Sequence, residues 1–285
     1  MTDVLTELLD LLRLERIEQD LFRGQSQDLG WGNVFGGQVL GQALSAAEQT
    51  VEEDRAVHSM HGYFLRVGDA KRPIVYEVDR IRDGKSFTTR RVVAIQGGHA
   101  IFSMSASFQR HETGLEHAAS MPAASGPEGL PSELELARRH ADRIPPAMRT
   151  QALADRPIEV RHVDEYDPLQ PAVRPPTRMV WYRALGELPD RPSVHQYLLA
   201  YASDFNLLGV AMQPHGVSWM NPGMQVASLD HAIWFHRPFR MDEWLLYAID
   251  SPSASGARGL SRGQFFTQDG RLVASVAQEG LIRRH

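Results

Sequence analysis

The sequence predicts an α+β chain made of two tandem units, each a long helix wrapped by an antiparallel sheet. Three observations carry this. The two halves repeat one another in order: "HSMHGYFLR" at 58–66 returns as "SLDHAIWFH" at 228–236, so that His61 aligns with His231 and Phe64 with Trp234 at an offset of 170 residues. Each half holds a helical, largely apolar segment ahead of these runs. Each half then continues in alternating or β-branched runs separated by glycine turns, the pattern of antiparallel strands.

In chain order, the opening "MTDVLTELLDLLRLERIEQDLF" has a leucine spacing but carries acids throughout. It lacks the basic region and unbroken apolar core of a signal peptide. The first helix is expected over 35–51, "FGGQVLGQALSAAEQTV", where Val39, Leu40, Ala43, Leu44 and Ala47 recur at helical spacing behind Gly36 and Gly37. Strands follow in "IVYEV", "TRRVVAI" and "AIFSMSASF", with "RDGK" and "QGGH" as turns. Residues 111–157, rich in Pro, Ser, Ala and Glu, form a connection with one short helix near "SELELARRHADRI". The second long helix is expected over 193–212, "SVHQYLLAYASDFNLLGVAM", apolar almost all round and therefore enclosed on most sides. Strands follow in "WLLYAI", "GQFFT" and "LVASVAQEG", with "QDG" as a turn. The expected division is an N-terminal unit at 1–115, a linker at 116–157 and a C-terminal unit at 158–285.

Composition narrows the function. Of 285 residues, 42% are hydrophobic and 23% charged, which is globular composition and not that of a disordered chain. A net charge of -5 offers no electrostatic footprint for nucleic acid. With no cysteine, disulfides, thiolate nucleophiles and cysteine-bound metals are all excluded. The twelve histidines show no metal-ligand spacing, so no metal and no other cofactor is expected. No apolar run approaches the ~18 residues of a membrane span, and a soluble cytoplasmic protein is expected.

The segments "LFRGQSQDLGWGNVFGGQVLGQAL", "VHSMHGYFLR", "VHQYLLAYASDFNLL", "LDHAIWFHRPF" and "SASGARGLSRGQFFTQDGRLVASVAQEG" closely resemble the bacterial acyl-CoA thioesterase II family, over essentially residues 8–284. The resemblance rests on many motifs in order, which is far more specific than any one of them. It implies a double-hotdog fold, in agreement with the internal repeat. It also implies hydrolysis of medium- to long-chain fatty acyl-CoA to free acid and CoA. The family's acid, hydroxyl and amide fall on Asp204, Ser228 and Gln278, with Ser at a position where some members carry Thr. Tandem hotdogs commonly pair sheet to sheet, so a homo-oligomer, dimer or tetramer, is expected.

Taken on their own chemistry, these residues fit water activation. Asp204 is a lone acid in "LLAYASDFNLL", where burial costs several kcal/mol unless the charge is compensated. At helical spacing it shares a face with Tyr197, Ala200 and Tyr201. It is either a structural acid bonded to a tyrosine or a base that orients water. Ser228 is either a strand-end hydroxyl satisfying backbone or a site hydroxyl. His231, three residues on, should point to the opposite face of a strand, which argues against a Ser228–His231 dyad. Gln278 is a neutral amide that can donate and accept at once but cannot be a base.

His58 occupies the place of Ser228 in the first half, and Ser107 that of Gln278, with no acid on the first helix before Glu48. The first unit therefore reads as a degenerate copy, with His58 structural or interfacial. "FGGQV" could present amides to an anion or a carbonyl, although close helix–sheet packing is the plainer use of its glycines. Three alternatives remain open at this point: covalent catalysis by Ser228, a non-catalytic acyl-CoA binding protein, and a hotdog dehydratase. The third lacks the expected His–acid pairing on the helix.

Overall fold

The computed structural model describes residues 3–164 and 166–285. In chain order the elements of the first half are α1 (Asp3–Leu12), β1 (Glu15–Glu18), β2 (Leu21–Gly24), α2 (Gly36–Glu48), β3 (Arg55–Phe64), β4 (Ile74–Asp83), β5 (Phe87–Gln96) and β6 (His99–Arg110). Two short helices follow, α3 (Glu133–Arg139) and α4 (Pro146–Ala152). The second half holds β7 (Ile158–His162), β8 (Thr177–Ala184), α5 (Pro192–Ser203), α6 (Leu207–Met212), β9 (Met224–Ser228), β10 (Asp230–Phe235), β11 (Leu245–Ser255), β12 (Arg258–Thr267) and β13 (Leu272–Arg284).

One continuous antiparallel sheet runs β1-β2-β4-β5-β6-β3-β10-β13-β12-β11-β8-β7, with β9 paired to β13. The order is symmetrical about the central β3–β10 pair, where Asp230 faces Tyr63 and Trp234 faces Ser59. In each half three strands form a meander. The strand that follows the long helix pairs with the last of them and not with the first: β3 with β6, and β10 with β13. This placement brings the two halves edge to edge. Each sheet thereby covers an edge that would otherwise expose unpaired backbone groups.

The two long helices lie against each other in the core. Glycines set their separation. A Cβ on Gly37 would run into the carbonyl oxygen of Tyr201, and one on Gly41 would lie 3.1 Å from that of Tyr197. These positions are one helical turn apart, so α2 presents a bare backbone strip to α5. Gln38 and Gln42 are also buried on α2, and their amides find partners. Gln42 accepts from the Tyr76 hydroxyl at 2.6 Å and donates to the carbonyls of Leu11 and Gln25.

The expected single helix over 193–212 is two helices. α5 begins with Pro192 in its first turn, where proline's fixed φ and missing N–H cost nothing. It stops with Asp204 as its C-cap, and the chain turns through Asn206 at φ 65° before α6 begins. Asparagine tolerates this left-handed conformation better than most residues. Tyrosines from the sheet meet carbonyls left open at the break: Tyr247 donates to Ser203 O at 3.0 Å and Tyr182 to Phe205 O at 3.4 Å.

The connection between the halves is packed on the sheet. The Trp181 indole donates to Ser125 O at 2.9 Å, and Met121, Ala124 and Leu130 cover Trp181, Leu246, Phe266 and Leu272. Its predicted helix is α3, fixed by a capping box in which the Ser132 hydroxyl accepts from Glu135 N–H and the Glu135 carboxylate accepts from Ser132 N–H. Periodicity gave no sign of α4, β1, β2, β7 or β8; all five are short, at most eight residues each, and too brief to establish a period.

Candidate active site

The three residues expected to act together meet where α5 breaks. Gln278 Nε2 donates to Asp204 Oδ1 at 3.0 Å and to Ser228 Oγ at 2.6 Å. The Ser228 hydroxyl donates to the same Asp204 Oδ1 at 3.3 Å. Asp204 lies on the helix break, Ser228 at the end of β9 and Gln278 within β13. Gln278 is 1% exposed, whereas Asp204 and Ser228 are half-buried. The acid and the hydroxyl are therefore partly open to solvent, with the amide behind them.

The position of Asp204 corrects the expectation that it shares a helical face with Tyr197 and Tyr201 in mid-helix. It is the cap residue, with φ -78° and ψ -20°, and its side chain leaves the helix end. Its Oδ2 atom lies 2.6 Å from the point a Cβ would occupy on Gly36, the first residue of α2. The first backbone amides of a helix have no intrahelical partners, and the helix dipole makes that end favourable for an anion. Phe35, which precedes α2, offers no side-chain cap. An acid from the second unit thus rests on the helix start of the first. The "FGG" glycines, read from sequence as packing residues, border the site.

An aromatic wall adjoins the carboxylate. Phe35 stacks on Phe205 with ring centroids 4.2 Å apart and meets Tyr201 edge-on at 5.3 Å. The Phe64 ring approaches the Gly36 Cβ position to 3.0 Å. Such a surface suits an apolar chain next to a polar reacting group.

His231 also belongs to the site, contrary to the strand-parity argument. Its Nδ1 lies 2.8 Å from Gln278 Oε1, and its Nε2 lies 2.9 Å from Ser203 Oγ. Parity fails because the chain bulges. Ser228 pairs with Gly280 and Ala232 pairs with Ala277, so four steps on β9–β10 span only three on β13. One extra residue inverts the alternation and turns both Ser228 and His231 to the face that carries Gln278. Asp230 holds the bulge by accepting from Glu279 N–H at 2.7 Å, while Leu229 N–H donates to Glu279 O. No direct Ser228–His231 hydrogen bond accompanies this; His231 bonds the amide and not the hydroxyl. Burial lowers the proton affinity of the His231 ring, and the nearby negative charge of Asp204 opposes that only in part. A bulge leaves no mark on hydrophobic periodicity, so the sequence brought His231 into view beside Ser228 but offered no signal that it faces Gln278.

In the first half, His58 Nε2 lies 2.8 Å from Ser107 Oγ and its ring meets Phe87 edge-on. Burial lowers its proton affinity too. Glu48, at the end of α2, is held by Arg191 at 3.2 Å. Among the described residues, no group of three or more acids and histidines is arranged to hold a metal ion.

Residues 148–281 match the acyl-CoA thioesterase family, and residues 26–109 match the acyl-CoA thioesterase N-terminal domain. The chain is 45% identical to acyl-CoA thioesterase 2 of Haemophilus influenzae over 283 residues, 99% of each chain. It is 41% identical to human acyl-coenzyme A thioesterase 8, over 96% of this chain and 88% of the other. The fold superposes on the crystal structure of an acyl-CoA thioesterase II from Mycobacterium marinum with a TM-score of 0.80, 44% identity and 98% of each chain covered. A hotdog-fold protein from Alicyclobacillus acidocaldarius, 18% identical, has a TM-score of 0.76 and supports the fold alone. With its two helices enclosed by one antiparallel sheet and matches that span both halves, this chain is a double-hotdog protein and belongs to the acyl-CoA thioesterase II family.

Proposed function

We propose that this protein hydrolyses medium- to long-chain fatty acyl-CoA to free acid and CoA by direct attack of water, with Asp204, Ser228 and Gln278 as the catalytic residues. The observation that carries the reading is the convergence of the Gln278 amide and the Ser228 hydroxyl on one oxygen of Asp204. Both donors fix the plane of the carboxylate. Its remaining acceptor capacity can then take the proton of a water as that water attacks. Ser228 holds the water from the side. The amides at the start of α2, beside the same carboxylate, are the donors we assign to the thioester oxygen as charge builds on it. The aromatic wall of Phe35, Phe205 and Tyr201 favours a long apolar acyl chain over a short one.

The acyl-enzyme alternative requires a base on Ser228. Asp204 is the base its hydroxyl meets, while His231 bonds the amide instead, so that route would use on the serine the carboxylate that the water needs. A binding protein would have no use for an acid set between two donors. We further propose that residues 1–115 and 158–285 form the two units with 116–157 as linker, that the second unit supplies the catalytic acid, hydroxyl and amide, and that the protein is a cytoplasmic homo-oligomer. Tyr63, Leu65 and Trp234, exposed large apolar side chains around the β3–β10 junction, offer a surface for self-association. No helix among the described residues is long and apolar enough to cross a membrane.

Thiol release measured over a series of acyl-CoA substrates tests this reading. Turnover should rise from short to medium and long chains, and Asp204→Asn should lower kcat by roughly 10²–10⁴ with the fold intact. Absence of release with every chain length would leave only the binding protein.

A further inference from the structure

Resting on the site reading above, we infer that His231 is a positioning residue: its Nδ1–H clamps the Gln278 carbonyl, and this aims both amide hydrogens of Gln278 at Asp204 and Ser228. The argument is a count of hydrogens along one chain of contacts. Gln278 Nε2 lies 3.0 Å from Asp204 Oδ1 and 2.6 Å from Ser228 Oγ. If the amide were turned over, its oxygen would face a carboxylate oxygen at that distance, two acceptors with no proton between them. The nitrogen must therefore face Asp204, and Oε1 must face His231 Nδ1 at 2.8 Å. An acceptor on one side demands a donor on the other, so Nδ1 carries a proton.

The far side of the ring is compatible with this. Ser203 Oγ lies 2.9 Å from His231 Nε2 and 2.9 Å from Ala200 O. A ring only 1% exposed disfavours a second proton. In the neutral ring with hydrogen on Nδ1, Nε2 is an acceptor, and the one Ser203 hydroxyl hydrogen is shared between it and Ala200 O. The donors from the ring onward then point one way: His231 Nδ1–H to Gln278, Gln278 N–H to Asp204 and Ser228, and Ser228 O–H to Asp204. The other neutral form would set the bare Nδ1 against Oε1 and release the amide to rotate. His231 touches neither the water nor the thioester, so its effect passes through Gln278 alone.

Asparagine and glutamine separate this role from simple packing. At position 231 an Asn amide can reach the place of Nδ1 and still donate to Gln278, whereas a Gln amide extends toward the place of Nε2 and leaves Oε1 without its donor. His231→Gln should lose roughly tenfold in kcat, the value of one hydrogen bond of ~1.4 kcal/mol, with KM little changed. His231→Asn should keep most of the wild-type kcat. In a Gln278→Ala background, neither change should lower kcat further. Equal losses in the Asn and Gln variants, or the same loss with Gln278 already removed, would overturn the proposal. Thermal unfolding checks that the variants fold. Nitrogen-15 NMR of the histidine rings needs no variant: hydrogen on Nδ1 of His231 is expected, and a bare Nδ1 overturns the clamp. Wild-type turnover in Asp204→Asn and Gln278→Ala would instead remove the site reading itself.

Discussion

Asp204 Oδ2 sits 2.6 Å from where a Cβ on Gly36 would be, so the acid at the end of one unit's helix meets the beginning of the other unit's helix. The site is consequently built across the two halves. The first half contributes a helix start and a phenylalanine even though its own copy of the polar residues lacks the acid contact.

Gly36→Ala should lower kcat by at least tenfold while changing stability little. The new methyl meets the tip of Asp204 and the rim of Phe64, and tips of side chains can move aside. Moving Asp204 separates it from Gln278 and Ser228. Gly37→Ala should do the reverse. Its methyl meets the backbone carbonyl of Tyr201, so the α2–α5 packing must open, at a cost of about 1–3 kcal/mol or more. Melting temperature and kcat measured on both variants check this; equal behaviour of the two would refute it.

Ser228→Thr should remain active, and Ser228→Ala should lose roughly tenfold or more. Thr keeps the hydroxyl that accepts from Gln278 and donates to Asp204, and a β-branched side chain suits the end of β9. Ala leaves the buried Gln278 and the half-buried Asp204 each short of a partner, which costs on the order of 1–3 kcal/mol. If Ser228 were a covalent nucleophile, Ala would abolish turnover and intact mass spectrometry of the wild type would show one added acyl group.

His58→Ser should retain kcat to within about threefold, since it removes no contact to a reacting group. The ring bonds Ser107 and packs on Phe87, and Glu48, which would complete a second site, is tied to Arg191. A loss as deep as that of Asp204→Asn, in folded protein, would move catalysis to the first unit.

Stability should fall as pH drops below neutrality. Burial lowers the proton affinity of His231, His195 and His58 below the ordinary histidine value of 6.5. The unfolded chain therefore binds protons first as pH falls, and unfolding takes them up. The stabilisation is complete above about pH 6.5 and diminishes below it, until each folded-state value is passed. The urea midpoint should accordingly be lower at pH 5.5 than at pH 7.5, and the drop should be smaller in His231→Asn. A midpoint that stays level or rises toward acid would show that these rings charge in the folded protein.

The sequence by itself determined the two-unit α+β plan, most strands of each meander, the turns at "RDGK", "QGGH" and "QDG", and the acid, hydroxyl and amide worth testing. These are carried by periodicity, glycine positions and motif order, all of which are local in the chain. What only the tertiary structure decided is non-local. The break after Ser203 depends on Tyr182 and Tyr247 reaching the helix end from two strands. The bulge that turns His231 inward exists only as a register difference between β9–β10 and β13. The nearness of Gly36 to Asp204 depends on two helices packing across the whole core. Hydrophobic pattern records which face of an element is buried; it does not record which atoms meet there, and the chemistry of this site lies in those meetings.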